Sequence, residues 1–295
     1  MPAPAAVFRT YLPRPELRPY IFAYMWFSFE GEEPERTVVR WLPDGTEESR
    51  FSSADPLLNR MLAGGCQTLS FNFGDPWTAW NGARHPWSLR TSWVTGATTR
   101  PGIVEYGRRS GALGVLFAST LAHAFLSVPA DLLTDEIVPL EDLWGSAART
   151  LTAQLAEIPN VTGKIRALEK VLLGRLRAAR RIDRSLQPLA DVILRERGGV
   201  SVRGLSESSG MSRQHLARKF RELVGITPKQ FCRSARFHAL VNHVYLKPRV
   251  DWADAAAELG YYDQAHLIGE FKEFTGLTPT EFFRPRADAA ALAAG

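Results

Sequence analysis

Cysteine is scarce in this chain of 295 residues, which contains two, Cys66 and Cys232. A disulfide framework needs several cysteines, and a zinc site needs ligand spacings such as CxxC, HxH or HExxH, none of which occurs. Cys66 also lacks a flanking motif of the kind that accompanies a nucleophilic thiol. We therefore expect no disulfide scaffold, no metal site and no bound cofactor.

Long apolar runs are missing as well. The longest, Tyr20–Phe29, is too short to span a bilayer, for which a helix needs about 20 residues. No basic segment followed by an apolar stretch and a cleavage site begins the sequence. The sequence therefore predicts a cytoplasmic protein with no membrane partner.

Charge is not lacking, but it is unevenly distributed along the chain, whose formal net charge is +5. The segment before residue 151 is mildly acidic, residues 195–249 are strongly basic, and residues 251–283 are acidic again. Neutralisation of phosphates dominates non-specific affinity for DNA. The basic segment, residues 195–249, is therefore the part expected to bind a nucleic acid.

The stretch Met211–Leu223 (MSRQHLARKFREL) has the pattern of a short capped helix. Ser212 is placed to be the N-cap, and one apolar face carries Leu216, Phe220 and Leu223. Gly210 makes a turn from a second amphipathic segment, Ser201–Ser209. A helix, a turn and a helix with Arg and Gln facing outward form a helix-turn-helix unit. The alternative is a surface hairpin with a solvated basic face.

This pattern occurs twice, because Ser212–Phe231 aligns with Asp263–Phe282 at an offset of 51 residues. A fixed repeat indicates one structural unit used again. Between the two copies, Pro228–Leu246 has the periodicity of a single long helix. The identical pairs are His215/His266, Leu216/Leu267, Phe220/Phe271, Glu222/Glu273, Gly225/Gly276, Thr227/Thr278, Pro228/Pro279 and Phe231/Phe282.

On these residues, and on Leu259-Gly260-Tyr261 and Asp263-Gln264, the chain strongly resembles the AraC/XylS family of transcription regulators over residues 185–286. The resemblance implies sequence-specific binding to double-stranded DNA, control by a small-molecule effector, a possible homodimer, and contact with RNA polymerase if the protein is an activator. It also implies a domain order. Residues 1–150 form a sensor, 151–184 a helical linker, 185–286 the DNA-binding domain and 287–295 a flexible tail.

The residues expected to contact DNA lie on the two second helices of these units. In the first, Arg213, Gln214 and Arg218 are candidates for base contacts, since Arg suits guanine and Gln suits adenine. Lys219 and Arg221 are candidates for phosphate contacts. For any one of them, the alternative is a solvated side chain.

The second unit departs from this pattern, because its outward face carries Ala265, Ile268 and Gly269, and the family frequently has Arg at the last position. Such a face can touch thymine methyl groups or dock by shape, but it cannot make bidentate hydrogen bonds to bases. We predict that the first unit supplies most of the discrimination and that the second positions the protein. The remaining candidates in the second unit are Gln264, His266 and Lys272, and His266 also suits a packing role.

The N-terminal region has several short apolar segments separated by Gly, Pro and Asn, which suggests a small barrel or sandwich. We favour a cupin-like barrel, as the resemblance implies, and therefore an α+β protein with an all-α C-terminal domain. A cluster of aromatic residues in this N-terminal region suggests either a cage that lines a ligand site or a packed core. These residues are Trp41, Phe71, Phe73, Trp77, Trp80, Trp87 and Trp93.

The segment Gly163–Arg181 is an amphipathic helix with Ile165, Leu168, Leu172 and Leu176 on one face. Two interpretations remain open: a dimerisation helix, or a bridging helix packed on its own sensor domain. For the whole chain, the favoured function is a non-enzymatic, effector-controlled regulator. The alternatives are an enzyme tethered to DNA and a regulator whose N-terminal domain mediates only protein association.

Overall fold

The computed structural model of the protein describes residues 7–30, 37–41, 47–50, 58–61, 65–80, 86–107, 109–179, 182–246 and 250–283. Within these segments no helix is both long and apolar enough to cross a membrane. The tail predicted at residues 287–295 lies outside the described residues.

The N-terminal half is built from short antiparallel strands. In chain order they are β1 (Val7–Tyr11), β2 (Ile21–Glu30), β3 (Thr37–Trp41), β4 (Glu47–Arg50), β5 (Leu58–Met61), β6 (Thr68–Asn72), β7 (Trp77–Trp80), β8 (Trp87–Leu89), β9 (Ser92–Thr95), β10 (Gly102–Glu105), β11 (Arg109–Phe117) and β12 (Ile137–Pro139). One sheet has the order β12-β9-β6-β11-β2-β1-β4-β3, and the other has the order β5-β10-β7-β8.

The long strand β11 shows how the sheets separate two cores. It pairs with β2 and β6, so that Leu113 lies opposite Trp26 on one side and Phe71 on the other. Because side chains alternate across a strand, Leu113 joins the core shared with the helices. Its neighbour Ala112 joins the core that contains residues of both sheets.

Helices cover the large sheet and form the C-terminal half. They are α1 (His123–Leu126), α2 (Leu140–Trp144), α3 (Ser146–Glu157), α4 (Val161–Ala178), α5 (Gln187–Arg195), α6 (Val202–Ser209), α7 (Arg213–Val224), α8 (Pro228–Leu246), α9 (Trp252–Glu258), α10 (Gln264–Thr275) and α11 (Pro279–Phe282), with a 3-10 turn at Ala130–Leu133.

Helix α4 is the segment for which the sequence left two interpretations open. Its residues Ile165, Leu168 and Leu172 are buried in the core beneath the large sheet. Its Glu169 accepts hydrogen bonds at 2.9 Å from both the backbone N–H and the Nε of Arg14. The apolar face therefore lies inside its own chain, as the bridging interpretation expects. Dimerisation stays a prediction, and it would have to use another surface.

The helices α3 and α4 belong structurally with the β-sheets rather than with a separate linker. Leu151 and Leu155 of α3 share the core that α4 and the large sheet form. The predicted domain boundary after residue 150 therefore falls inside α3. We call the described part of residues 7–178 the sensor domain below, after the role predicted from the sequence, and residues 182–186 the connector.

The C-terminal half contains two cores joined by α8. The first half of this helix contributes Phe231 and Ala235 to the core of α5, α6 and α7, and its second half contributes Phe237 and Leu240 to the core of α9 and α10. One continuous helix thus fixes the relative position of two helix-turn-helix units. The α+β class, with a β-rich N-terminal region and two such units, is confirmed.

Candidate DNA-binding interface

The second helix of the first unit, α7, forms where the sequence predicts it. Ser212 is the N-cap, and its Oγ accepts a hydrogen bond from the His215 N–H at 3.2 Å. The helix ends at Gly225, whose φ of +93° lies in the left-handed region that favours glycine. Leu216 and Phe220 are fully buried, so the opposite face of α7 is turned to solvent.

That exposed face carries four of the five residues of the first unit that are expected to contact DNA, namely Arg213, Gln214, Arg218 and Arg221. The guanidinium Nη2 of Arg218 lies 3.1 Å from the Nδ1 of His215, which orients it along the helix. The side chain of His215 is half-buried. The prediction that these four side chains contact DNA remains untested, but all of them are accessible.

Lys219 differs from the other candidates, because its ammonium group already has partners within the protein. It forms an ion pair with Asp183 of the connector and donates a hydrogen bond to the Ser185 Oγ at 3.0 Å. Burial alone would raise the pKa of the Asp183 carboxyl, but hydrogen bonds from Lys219 and Ser185 hold it well below its usual range. The phosphate contact predicted for Lys219 therefore requires this ion pair to open.

The connector also binds the sensor domain. The backbone N–H of Asp183 donates to the Nε2 of His123 at 3.3 Å, so this ring nitrogen carries no proton. Burial lowers the pKa of His123, which favours the same neutral form. The guanidinium of Arg184 donates to the Tyr20 hydroxyl and lies over its ring at 4.9 Å from the centroid. The connector therefore contacts both the sensor domain and α7.

The second unit repeats the cap but presents a different surface. Asp263 caps α10 by accepting from the His266 N–H at 2.7 Å. Of the predicted contacts, Gln264, His266 and Lys272 are all exposed, and so is Gly269. Addition of a Cβ at Gly269 would meet nothing within 4 Å. The outward face of α10 is therefore as poor in cations as the sequence indicates.

Ion pairs hold the two units against each other. Arg233 of α8 binds Glu270 at 2.7 Å and also pairs with Glu273, both on α10. Arg197, between α5 and α6, lies 3.6 Å from Glu258 of α9. A cleft of about 670 Å³ remains between the units. These contacts make the spacing of α7 and α10 a fixed property of the domain.

The sensor domain contacts the C-terminal end of α7 directly, which the sequence did not reveal. The Thr134 Oγ1 donates to the Gly225 carbonyl at 2.6 Å, and the Gln67 Nε2 donates to the Val224 carbonyl at 3.2 Å. Ala97 of the sensor domain is fully buried in the core of the first unit. The two chain segments approach closely at Gly225, where an added Cβ would lie 2.8 Å from the Thr134 Oγ1.

The aromatic residues proposed as a ligand cage divide between two cores. Phe71 is fully buried beneath the helices, and the half-buried Phe73 stacks on Trp26 with ring centroids 6.1 Å apart. Trp77 and Trp93 instead pack edge to face between the sheets, at 5.5 Å. Trp87 packs against that same core, Trp80 is half-buried on β7, and the side chain of Trp41 lies outside the described residues. The described aromatic side chains of this set therefore do not line one common site.

Two family models match separate parts of the chain. Residues 205–285 match the family model of a helix-turn-helix domain, and residues 48–139 match a domain of unknown function (DUF6597). No curated protein matches the sequence.

Among solved structures, the chain is similar to ToxT from Vibrio cholerae, with 10% identity and a TM-score of 0.45 over 76% of this chain and 96% of ToxT. A ToxT structure with a bound unsaturated fatty acid gives 8% identity and a TM-score of 0.44 over 76% of this chain and 92% of that one. The AraC-like transcriptional activator CuxR gives 11% identity and a TM-score of 0.28 over 78% of this chain and 85% of CuxR.

Proposed function

We propose that the chain is a DNA-binding transcription regulator of the AraC family, on the basis of its C-terminal helix-turn-helix domain. We propose further that its N-terminal domain binds a small-molecule effector that controls the first helix-turn-helix unit. The observation that carries this proposal is the direct contact between the sensor domain and the C-terminal end of α7, through Thr134 and Gln67. An effector can change DNA affinity only if it binds the two states of the protein with different affinity. In this proposal, effector binding favours one of two arrangements of the contact that the sensor domain shares with α7.

The same proposal assigns the DNA contacts. The first unit reads bases with Arg213, Gln214 and Arg218 and contacts phosphate with Arg221. The second unit docks α10 in the next major-groove segment, with Gln264, His266 and Lys272 nearest the DNA. Because α8 and its ion pairs fix the spacing, both helices engage one face of the duplex about one helical turn apart.

In the state described here, the Asp183–Lys219 pair withholds one cation of α7 from DNA. We assign this arrangement to the form with lower DNA affinity. Effector binding would rearrange the connector, whose residues contact both Tyr20 and His123 of the sensor domain. Release of Lys219 would then add one phosphate contact.

A footprint of the full-length protein on fragments selected from genomic DNA tests the proposal. We expect protection of two adjacent major-groove segments, and a doubled footprint if the protein is a homodimer. Protection of one segment would contradict the docking of α10, and no selection of fragments at all would contradict the function itself.

The effector is tested separately, by repeating the footprint and a thermal-unfolding scan with fractions of a metabolite extract. A fraction that raises the Tm and changes the DNA affinity supports effector control. If no fraction does so and light scattering shows concentration-dependent dimers, the N-terminal domain serves association instead. Conversion of an added metabolite would favour the DNA-tethered enzyme.

A further inference from the structure

The turn that precedes α10 is one residue longer than its counterpart in the first unit. A single residue, Met211, separates Gly210 from the N-cap Ser212, whereas Tyr261 and Tyr262 separate Gly260 from the N-cap Asp263. Both glycines have positive φ, +67° at Gly210 and +70° at Gly260, so the two turns begin alike.

The extra residue is Tyr262, because Tyr261 takes the place of Met211. Met211 packs against the core of the first unit, and Tyr261, with 6% of its surface exposed, is buried in the core of the second. Tyr262 has no such role, since 91% of its surface is exposed. It is the most exposed of the large apolar side chains in the described part of the chain.

The backbone at Tyr262 is nevertheless held in place. Its N–H donates to the Nδ1 of His266 at 3.2 Å, and the His266 N–H donates to the Asp263 carboxylate at 2.7 Å. The ring of Tyr261 packs edge to face on His266 with centroids 5.5 Å apart. The tyrosine therefore projects from a braced turn directly at the N-terminal end of α10.

The position of Tyr262 places it near DNA, because the N-terminal end of the second helix of a helix-turn-helix unit is the part that enters the major groove. From residue 251 to 283 there are seven acidic residues and one cation, Lys272. Such a unit needs a neutral group to approach the DNA backbone, and a tyrosine hydroxyl is a common donor to phosphate oxygens. The first unit, with Arg213 and Arg221 exposed, has no such need.

We propose that Tyr262 is a DNA-positioning residue of the second unit, whose hydroxyl donates a hydrogen bond to a phosphate oxygen at the edge of the groove occupied by α10. This inference rests on the DNA-binding function proposed above. It assigns to the second unit an anchor that carries no charge and so adds nothing to the salt dependence of binding.

The test compares full-length wild-type protein with Tyr262→Phe, which removes only the hydroxyl. Leu194→Ala is the control, because Leu194 is an exposed apolar side chain of the same domain, on α5 rather than on α7 or α10. Affinity for a fragment selected by the wild-type protein is titrated at two salt concentrations. We expect Tyr262→Phe to weaken binding by about threefold to tenfold, with an unchanged salt slope and Tm, and Leu194→Ala to bind as wild type.

Ethylation interference on the same fragment locates the contact. We expect one phosphate of the second protected segment to interfere with the wild-type protein but not with Tyr262→Phe. Equal affinity and equal interference patterns for both proteins would overturn the inference, as would a lost contact in the first segment. A wild-type protein that selects no fragment would instead overturn the proposed function, so the two failures are distinguishable.

Discussion

Substitution of Asp183 by asparagine should strengthen DNA binding. The change removes the carboxylate charge that pairs with Lys219, while the amide oxygen of asparagine can still accept the hydrogen bond from the Ser185 N–H. The ammonium group of Lys219 then lacks its anionic partner. It becomes available to a phosphate, because it lies on the same helix as the exposed Arg218 and Arg221.

The magnitude follows from the exposure of the pair. The side chains of Lys219 and Asp183 are 21% and 38% exposed, and solvent screening limits such a pair to about 1 kcal/mol or less. Each phosphate that is neutralised contributes about −0.9 to the slope of log K against log salt. We therefore expect a slope steeper by about 0.9 and, at low salt, an affinity higher by up to about fivefold.

The assay is a DNA titration of the full-length protein at several salt concentrations. Asp191→Asn is the matched control, because it removes the same charge from an exposed acid of the neighbouring helix α5 and should change the slope much less. The double variant Asp183→Asn, Lys219→Ala should return the slope to the wild-type value. If Asp183→Asn leaves the slope unchanged, or steepens it no more than Asp191→Asn does, Lys219 is not a withheld phosphate contact.

The remaining predictions concern the readout, the interface and the connector. Arg218→Ala should cost about 1–3 kcal/mol of DNA-binding free energy and relax specificity. Gly269→Ala places a Cβ in open space and should leave the affinity for DNA unchanged. Equal losses of affinity for the two variants in competition titrations would contradict the asymmetry of the two units. Thr134→Val leaves the Gly225 carbonyl without its donor at a cost of about 1–3 kcal/mol, and an unchanged Tm in calorimetry would refute the interface. His123 has a lowered pKa and is held neutral, so its contribution to stability is present above its unfolded pKa and is lost as the pH falls below about 6.5. The Tm of the wild-type protein should therefore fall more steeply than that of His123→Gln, and parallel curves would refute this assignment.

The features that the sequence determined by itself are those set by interactions between near neighbours. Ser212 and Asp263 each cap a helix through a backbone N–H three residues away, and Gly225 and Gly276 end those helices in the left-handed region. The apolar positions Leu216, Phe220, Leu267 and Phe271 recur at helical spacing and are all fully buried. The repeated N-cap residues, buried apolar positions and helix-ending glycines are therefore sufficient to predict two helix-turn-helix units and the residues on their outer faces.

The features that only the tertiary structure decided are contacts between residues far apart in the chain. Periodicity showed that α4 has an apolar face, but either a second chain or the sensor domain can cover such a face. Lys219 and Arg221 are both cations of α7, and the sequence does not distinguish them. Only the fold brings Asp183, which is 36 residues away in the chain, next to Lys219. Likewise the aromatic residues of the sensor domain separate into two cores because alternate positions of a strand face opposite sides of a sheet. Local hydrogen bonding and helical spacing fixed the two DNA-binding units, whereas the partner of each exposed charge or apolar face depended on chain segments that local patterns do not relate.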